Sequence, residues 1–422
     1  MTALPPPSEQ ATALVDMHRF SPQPRDAEPG EPLASPVLIK ATPFRHVDAR
    51  SIPPRRWIYG RHYIRQFVSA TVAPGGTGKS ALAVVEALAI ATGRPLLGIK
   101  PQERVRVWLW NGEDPLNELQ RRVAAAMRFF EIPPQEVEGW LFLNSGRNSP
   151  IVIATQARNG TSLDQGDIDG LEAAIRLDDI GLVILDPFVS LHRVSENDNG
   201  AIDQVTKALA GVADRTGCAI ELVHHVRKTN GSDVTVEDSR GAGAFLATVR
   251  SARALNLMSL QEAKGWGIAE GQRRLHLRAY DGKANLAPPA EASTWFRLES
   301  VDLENRTADR PSDYVGVVTP WQPPKAFDDV TADHMREVHR LIGKDDRQWR
   351  ESHLSPEWAG HVVAEVLGLK ADESRDRKKI QQLLKTWIRN GVLQVVEGKD
   401  DARKRKKFIV PGELKEDVAP PL

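Results

Sequence analysis

The run Ala73-Pro74-Gly75-Gly76-Thr77-Gly78-Lys79-Ser80 combines clustered glycines with one lysine and one hydroxyl, a set suited to holding phosphate. Glycine allows backbone angles and close approach that a side chain blocks, so successive N–H groups can converge on phosphate oxygens. Lys79 then offers a point positive charge to the β and γ phosphates. Ser80 offers a hydroxyl ligand for Mg²⁺ at the start of a helix whose dipole favours anions. The spacing is that of a phosphate-binding loop, with Ala73 where the first glycine of GxxxxGK[ST] usually stands. The expected ligand is a nucleoside triphosphate, ATP with Mg²⁺.

Other chemistry-bearing residues close apolar runs. Leu182 to Leu185 ends in Asp186, which an open parallel sheet would place at its ligand-bearing edge, suited to holding Mg²⁺ through water. Arg106 to Trp110 leads into Asn111-Gly112-Glu113-Asp114-Pro115. Glu113 is the candidate to polarise an attacking water, and Asp114, before Pro115, the candidate helix cap; that both are caps is the alternative. His224-His225 closes a further run beside the Asp186 strand and suits a γ-phosphate sensor better than a metal site, because adjacent strand residues face opposite ways.

The elements that must position these groups alternate. Phe67 to Val72 reads as the strand before the loop and Ala81 to Thr92 as the helix after it, closed by Gly93. Strand-like runs at 105–110, 140–143, 182–185 and 219–223 are separated by helical patterns at 116–130 and 202–216, the mark of a mostly parallel sheet flanked by helices. The runs 251–258, 274–280 and 294–298 lack intervening helices and read as an antiparallel extension. Trp57, Tyr59 and Tyr63 could pack beside the nucleotide or on the core, with simple packing the favoured reading for each. Residues 1–40 are proline-rich and unpatterned, and are expected to form a disordered tail. The prolines of Thr319 to Pro324 place a boundary there, giving an ATPase domain at 41–318, a linker at 319–330, a second domain at 331–412 and a tail at 413–422.

The 422 residues carry 56 Lys plus Arg against 56 Asp plus Glu, so no global positive field is available and any nucleic-acid surface must be local. The single cysteine, Cys218, excludes an internal disulfide and reads as a buried thiol. No apolar stretch approaches the ~20 residues that span a bilayer, and the expected location is cytoplasmic.

In this order the pieces resemble the RecA-like ATPases, and most closely the RepA-type hexameric replicative helicases of plasmids and their phage and prophage relatives. The resemblance covers about Arg56 to Glu299. It is carried by Asp186-Pro187-Phe188, the helix ending Arg215-Thr216-Gly217-Cys218, Val223-His224-His225, Ser239-Arg240-Gly241, Arg250 and Gly282-Lys283-Ala284-Asn285. The resemblance implies Lys79 and Ser80 for phosphate and Mg²⁺, Glu113 for water, Asp186 for Mg²⁺ and His225 for sensing. It also implies Arg250 as an arginine finger acting on the neighbouring subunit's nucleotide, with Lys283 or Arg240 near the same interface. The loops after Asp186 and after His225 occupy positions that face the channel of such rings, so His192, Arg193, Arg227 and Lys228 are candidates to touch single-stranded DNA.

Residues 370–410 hold thirteen Lys or Arg against six Asp or Glu. Ile380, Leu383, Leu384, Trp387 and Ile388 fall at helical spacing, and 392–396 with 406–410 read as a hairpin. With the helix around 358–367, these resemble a winged-helix domain. The hairpin tip, with Arg403, Lys404 and Arg405, is a candidate contact for a DNA backbone, duplex DNA included. The expected function is an ATP-hydrolysing homo-hexameric motor acting on DNA, a helicase with a replication initiator or primase as partner. An ATP-switched initiator or regulator without processive unwinding is the alternative, and a recombinase-like filament a third reading.

Overall fold

The computed structural model describes residues 41–158, 160–226, 233–238, 242–288, 290, 292–324, 330–344, 348–400 and 403–413. Arg227, Lys228 and Arg240, the expected tail at 1–40, and the end of the chain after 413 lie outside the described residues. The chain divides into two units, 1–54 and 55–422. In the first, the described residues 41–54 are exposed and hold one 3-10 turn, Ala49–Ser51, whose Asp48 carboxylate accepts the Arg50 N–H at 2.9 Å. The sequence reading assigned 41–54 to the ATPase domain.

The second unit opens with a short hairpin, β1 (Trp57–Tyr59) and β2 (Tyr63–Ile64), whose Tyr59 and Tyr63 are core residues. Next come β3 (Val68–Ala73), α1 (Lys79–Thr92), β4 (Arg106–Asn111), α2 (Leu116–Phe129) and β5 (Leu141–Ser145). A small three-stranded sheet follows from β6 (Ala154–Ala157) and β7 (Gly160–Leu163), then α3 (Gln165–Leu177) and β8 (Ile180–Asp186). β9 (His192–Arg193) completes the small sheet against β6, before α4 (Asn199–Thr216), β10 (Ala219–His225), α5 (Ala242–Thr248) and β11 (Ser251–Leu257).

The main sheet continues through α6 (Leu260–Trp266), β12 (His276–Ala284), β13 (Thr294–Asp302) and β14 (Tyr314–Pro320). Its order among the described residues is β14-β13-β12-β11-β3-β10-β8-β4-β5, and β5 through β11 in that order are parallel. This is the expected α/β architecture, a mostly parallel sheet flanked by helices. β3 and β8 are buried at every position because helices cover both faces. In β8, Leu182 and Ile184 join the core under α1 and α2, while Val183 and Leu185 join the core under α3, α4 and α5. β3 feeds α1 and then β4, which lies beyond β10 and β8. That reversal opens a crevice at the carboxyl ends of the strands.

One expectation is corrected. β11 is parallel to β3 and not part of the antiparallel extension, because α5 supplies the crossover before it. α6 intervenes after it, and antiparallel pairing begins only at β12. At the other end, Pro320 closes β14, an edge strand, where a residue without an N–H is tolerated. Trp321 continues into a cluster with Trp266 and Trp295 at centroid distances of 5.7 Å to each, so this stretch is packed.

Near the C-terminus, α7 (Ala332–Ile342), α8 (Gly360–Leu367) and α9 (Ser374–Arg389) are followed by the antiparallel pair β15 (Leu393–Lys399) and β16 (Arg405–Pro411). The α9 face expected to pack does so: Ile380, Leu383, Leu384 and Trp387 are buried in a core of their own with Met335, Val338, Trp358 and Val363. Trp387→Ala is expected to destabilise this core by about 3–5 kcal/mol. Denaturant unfolding followed by tryptophan fluorescence checks it.

Candidate active site

Four strands end together at the crevice. Asn111 of β4 pairs with Asp186 of β8, and His225 of β10 pairs with Ala73 of β3. After Ala73 the chain turns through Gly76 and Gly78, with φ of 77° and 91°, left-handed values that a side chain would strain. Ala73 stands where the usual motif has glycine, and the strand simply extends through it. The Thr77 hydroxyl closes the turn on the Pro74 carbonyl at 2.7 Å. The N–H groups at the start of α1 thus open onto the crevice.

Lys79 is 5% exposed, and its Nζ donates to the carbonyls of Ala73 at 3.0 Å and Pro74 at 2.8 Å. Burial lowers its pKa to about 8, against the opposing pull of Asp186 and Glu113. The sign follows from proton counting. The unfolded chain binds more protons between pH 8 and pH 10.5, so burying this lysine costs stability below pH 8, and the cost is relieved as pH rises through that window. A bound polyanion would restore the charged form. Binding of a triphosphate at pH 8 is therefore expected to take up about half a proton, and almost none at pH 6.5. Calorimetry in buffers of different ionisation enthalpy reads this directly, and Lys79→Met should abolish the buffer dependence.

The Ser80 hydroxyl donates to Asp186 Oδ2 at 2.5 Å. Asp186 is 3% exposed, and burial raises its pKa while Ser80, His225 and Lys79 act the other way. A hydroxyl and a carboxylate at hydrogen-bond distance form the all-oxygen donor set that a hard dication takes.

Glu113 is exposed at the mouth of the crevice, on a turn that other residues hold. Asn111 Oδ1 accepts the N–H of Glu113 at 3.0 Å and of Asp114 at 2.7 Å. The Ser145 hydroxyl donates to the Asp114 carbonyl, and Arg147 Nε to the Glu113 carbonyl. Gly112 is required here, because a Cβ would stand 2.4 Å from that of Ser190. Asp114 is not the cap expected of it: the N-cap of α2 is Pro115, with no side-chain bond, and Asp114 instead pairs with Arg122 at 2.8 Å. Asn111, Ser145 and Arg147 were missed in the sequence. An Asn directly before Gly-Glu-Asp at a strand end was the available signal.

His225 is half-buried, and its pKa is lowered first by burial and then by Lys79, with Glu113 and Asp186 opposing. Its neighbour His224 points to the opposite face, between the rings of Phe188 at 5.6 Å and Phe245 at 5.1 Å. Lys79, Ser80, Glu113, Asp186 and His225 therefore lie together at one end of the sheet.

Arg250 and Lys283 do not join them. The Arg250 N–H donates to the Val68 carbonyl at 2.9 Å, and Lys283 pairs with Ala252, both at the amino ends of the parallel strands. About 17 Å of β3 separates that edge from the phosphate loop. Lys283 Nζ donates to the Leu246 carbonyl, and its pKa is lowered by burial and by Arg250. Arg193 is exposed on β9, donating to the Ser190 and His192 carbonyls at 3.3 and 3.0 Å. Arg403 and Lys404 are exposed before β16, and Arg405, also exposed, is its first residue.

Compared with known proteins, residues 33–231 match the family model of an AAA domain. Among solved structures, the crystal structure of the RadB recombinase is similar, with a TM-score of 0.37 at 11% identity over 56% of this chain and 89% of that chain. The phosphate loop, the acid-ended strand beside it and the AAA match together support a phosphate-loop ATPase domain.

Proposed function

We propose that the chain is an ATP-hydrolysing ring motor acting on DNA, a replicative helicase of the RepA type serving a plasmid, phage or prophage, assembled as a homo-hexamer. The observation that supports this reading most is the placement of Arg250 and Lys283 on the edge opposite Lys79, away from the phosphate loop of their own copy.

In this reading Lys79 exchanges its two carbonyl partners for phosphate oxygens, and Ser80 with Asp186 holds Mg²⁺. When bound there, Mg²⁺ would supply positive charge against the negative charge that develops on the transferring phosphate. Glu113 accepts a proton from the attacking water. His225, its imidazole kept neutral by burial and by Lys79, donates a hydrogen bond to the γ-phosphate and reports its loss through β10. Arg250 and Lys283 of the adjacent copy stabilise the transition-state charge. Glu113→Gln is expected to lower turnover by about 10²–10⁴-fold with ATP affinity retained, as steady-state hydrolysis and equilibrium binding would read.

Single-stranded DNA would pass Arg193, with Arg227 and Lys228. α7, α8, α9 and the β15–β16 pair are read as a winged helix, whose Arg403, Lys404 and Arg405 contact a DNA backbone and release counterions. The deciding experiment is ATP hydrolysis across protein concentrations with and without single-stranded DNA, paired with duplex unwinding. Turnover rising more than in proportion to concentration, with strand displacement, supports the motor. DNA-stimulated hydrolysis without displacement favours the ATP-switched initiator.

A further inference from the structure

The α1-facing side of the three central strands carries a connected set of buried polar groups: Glu86 on α1, Thr71 on β3, Glu221 on β10 and Arg253 on β11, each 7% exposed or less. Arg253 meets Glu86 in two parallel bonds, Nη1 to Oε1 at 2.7 Å and Nη2 to Oε2 at 2.6 Å. The Tyr63 hydroxyl donates to the same carboxylate at 2.5 Å. Arg253 Nε donates to the Thr71 hydroxyl at 2.9 Å, which donates to Glu221 at 2.5 Å. His62 Nε2 lies 3.1 Å from Glu221, and its Nδ1 2.9 Å from the Ser251 hydroxyl. The nucleotide site uses none of these groups.

Stability is a poor reason for such a set. Buried ion pairs are commonly replaceable by apolar residues of similar volume at no loss, since desolvation offsets their attraction. Geometry is the better reason. Between Ser80 and Thr92 the rest of α1 is Ala, Leu, Val and Ile, buried from Leu82 to Ala91, and such contacts permit a helix to slide or rotate slightly. A planar guanidinium on a planar carboxylate permits one arrangement. Glu86 lies two turns, about 10 Å, beyond Lys79 on the same helix.

We propose that Glu86 and Arg253, braced by Tyr63, Thr71 and Glu221, are positioning residues for ATP hydrolysis: they fix the height and rotation of α1, and so where Lys79 and Ser80 meet Asp186. Ser251, held through His62, extends the same frame to the strand end that carries Arg250. The proposal rests on the phosphate-loop ATPase reading and on neither the ring nor DNA.

The test compares the wild type with Glu86→Leu/Arg253→Met, which exchanges the pair for apolar groups, and with Tyr63→Phe and Thr71→Val. Melting temperature, ATP dissociation constant and kcat are measured for each. The double variant is expected to melt within a few degrees of the wild type, with kcat down about 10–100-fold and ATP binding weakened about 3–10-fold, since small misplacements near the reacting groups have such effects. A folded double variant with kcat within about twofold of the wild type overturns the proposal. Should the double variant not fold, Tyr63→Phe and Thr71→Val decide by the same criterion. A wild type without any turnover sinks the enzymatic reading instead, and the ATP dissociation constants alone then decide, unchanged values counting against positioning.

Discussion

Arg250→Ala is expected to lower ATP turnover by about 10³-fold or more, the range in which an arginine supplied to a phosphoryl-transfer site acts, while ATP binding to the same chain stays within about twofold. The separation follows from position: Arg250 begins beside Val68, at the far end of the strand that delivers the phosphate loop. Its removal cannot disturb the loop of its own copy by contact. A mixing experiment sharpens the test. Arg250→Ala copies keep an intact loop and lack the arginine, and Lys79→Ala copies are the converse. Each alone should be inactive, yet a random equimolar mixture should recover about a quarter of wild-type turnover, because about one junction in four joins an intact loop to an intact arginine. No recovery, or loss of ATP binding in Arg250→Ala, would sink the role in trans.

Lys79→Ala should reduce turnover to background, a fall of at least about 10³-fold, because a cation is removed from where phosphate charge develops in a site of low dielectric. Here, unlike the arginine variant, binding should weaken too. The buried Nζ bridges the carbonyls that end β3 and begin the loop, so its loss also leaves Ala73 and Pro74 oxygens without that donor. ATP-dependent protection against thermal unfolding should shrink accordingly. Protection equal to the wild type's would remove Lys79 from the phosphate site.

Much of the site was legible because its signals are local. A glycine loop between a buried strand and a helix, and an aspartate closing Leu182 to Leu185, each report their position without knowledge of the rest. The apolar stripe of α9 was equally readable, since one face repeats at helical spacing. Strand direction was not. β11 and β12 are similar short runs, and only the crossover through α5 makes the first parallel.

The small sheet escaped notice for a different reason: β6 and β7 are four residues long and mostly exposed, leaving no hydrophobic period to detect. Glu86, Glu221 and Arg253 escaped because a charge inside an apolar run reads as a solvent position until the sheet brings three such runs together. Each interrupts an otherwise apolar stretch, and on β10 and β11 they share a face with Ala219 and Leu255. Chains with lone charges in several neighbouring core strands merit a search for a shared buried pair.

If Arg250 acts in trans as proposed, the loop at one edge of the sheet and Arg250 at the other make every productive junction polar, head to tail, with one half-site left over at each end of an open row. A row of n copies then holds n − 1 complete sites, and only closure supplies the last. A dimer should therefore work, per protomer, at about half the rate of a closed ring. Specific activity, plotted against the assembly's measured mass, would count the junctions and distinguish a ring from an open filament without an image of either.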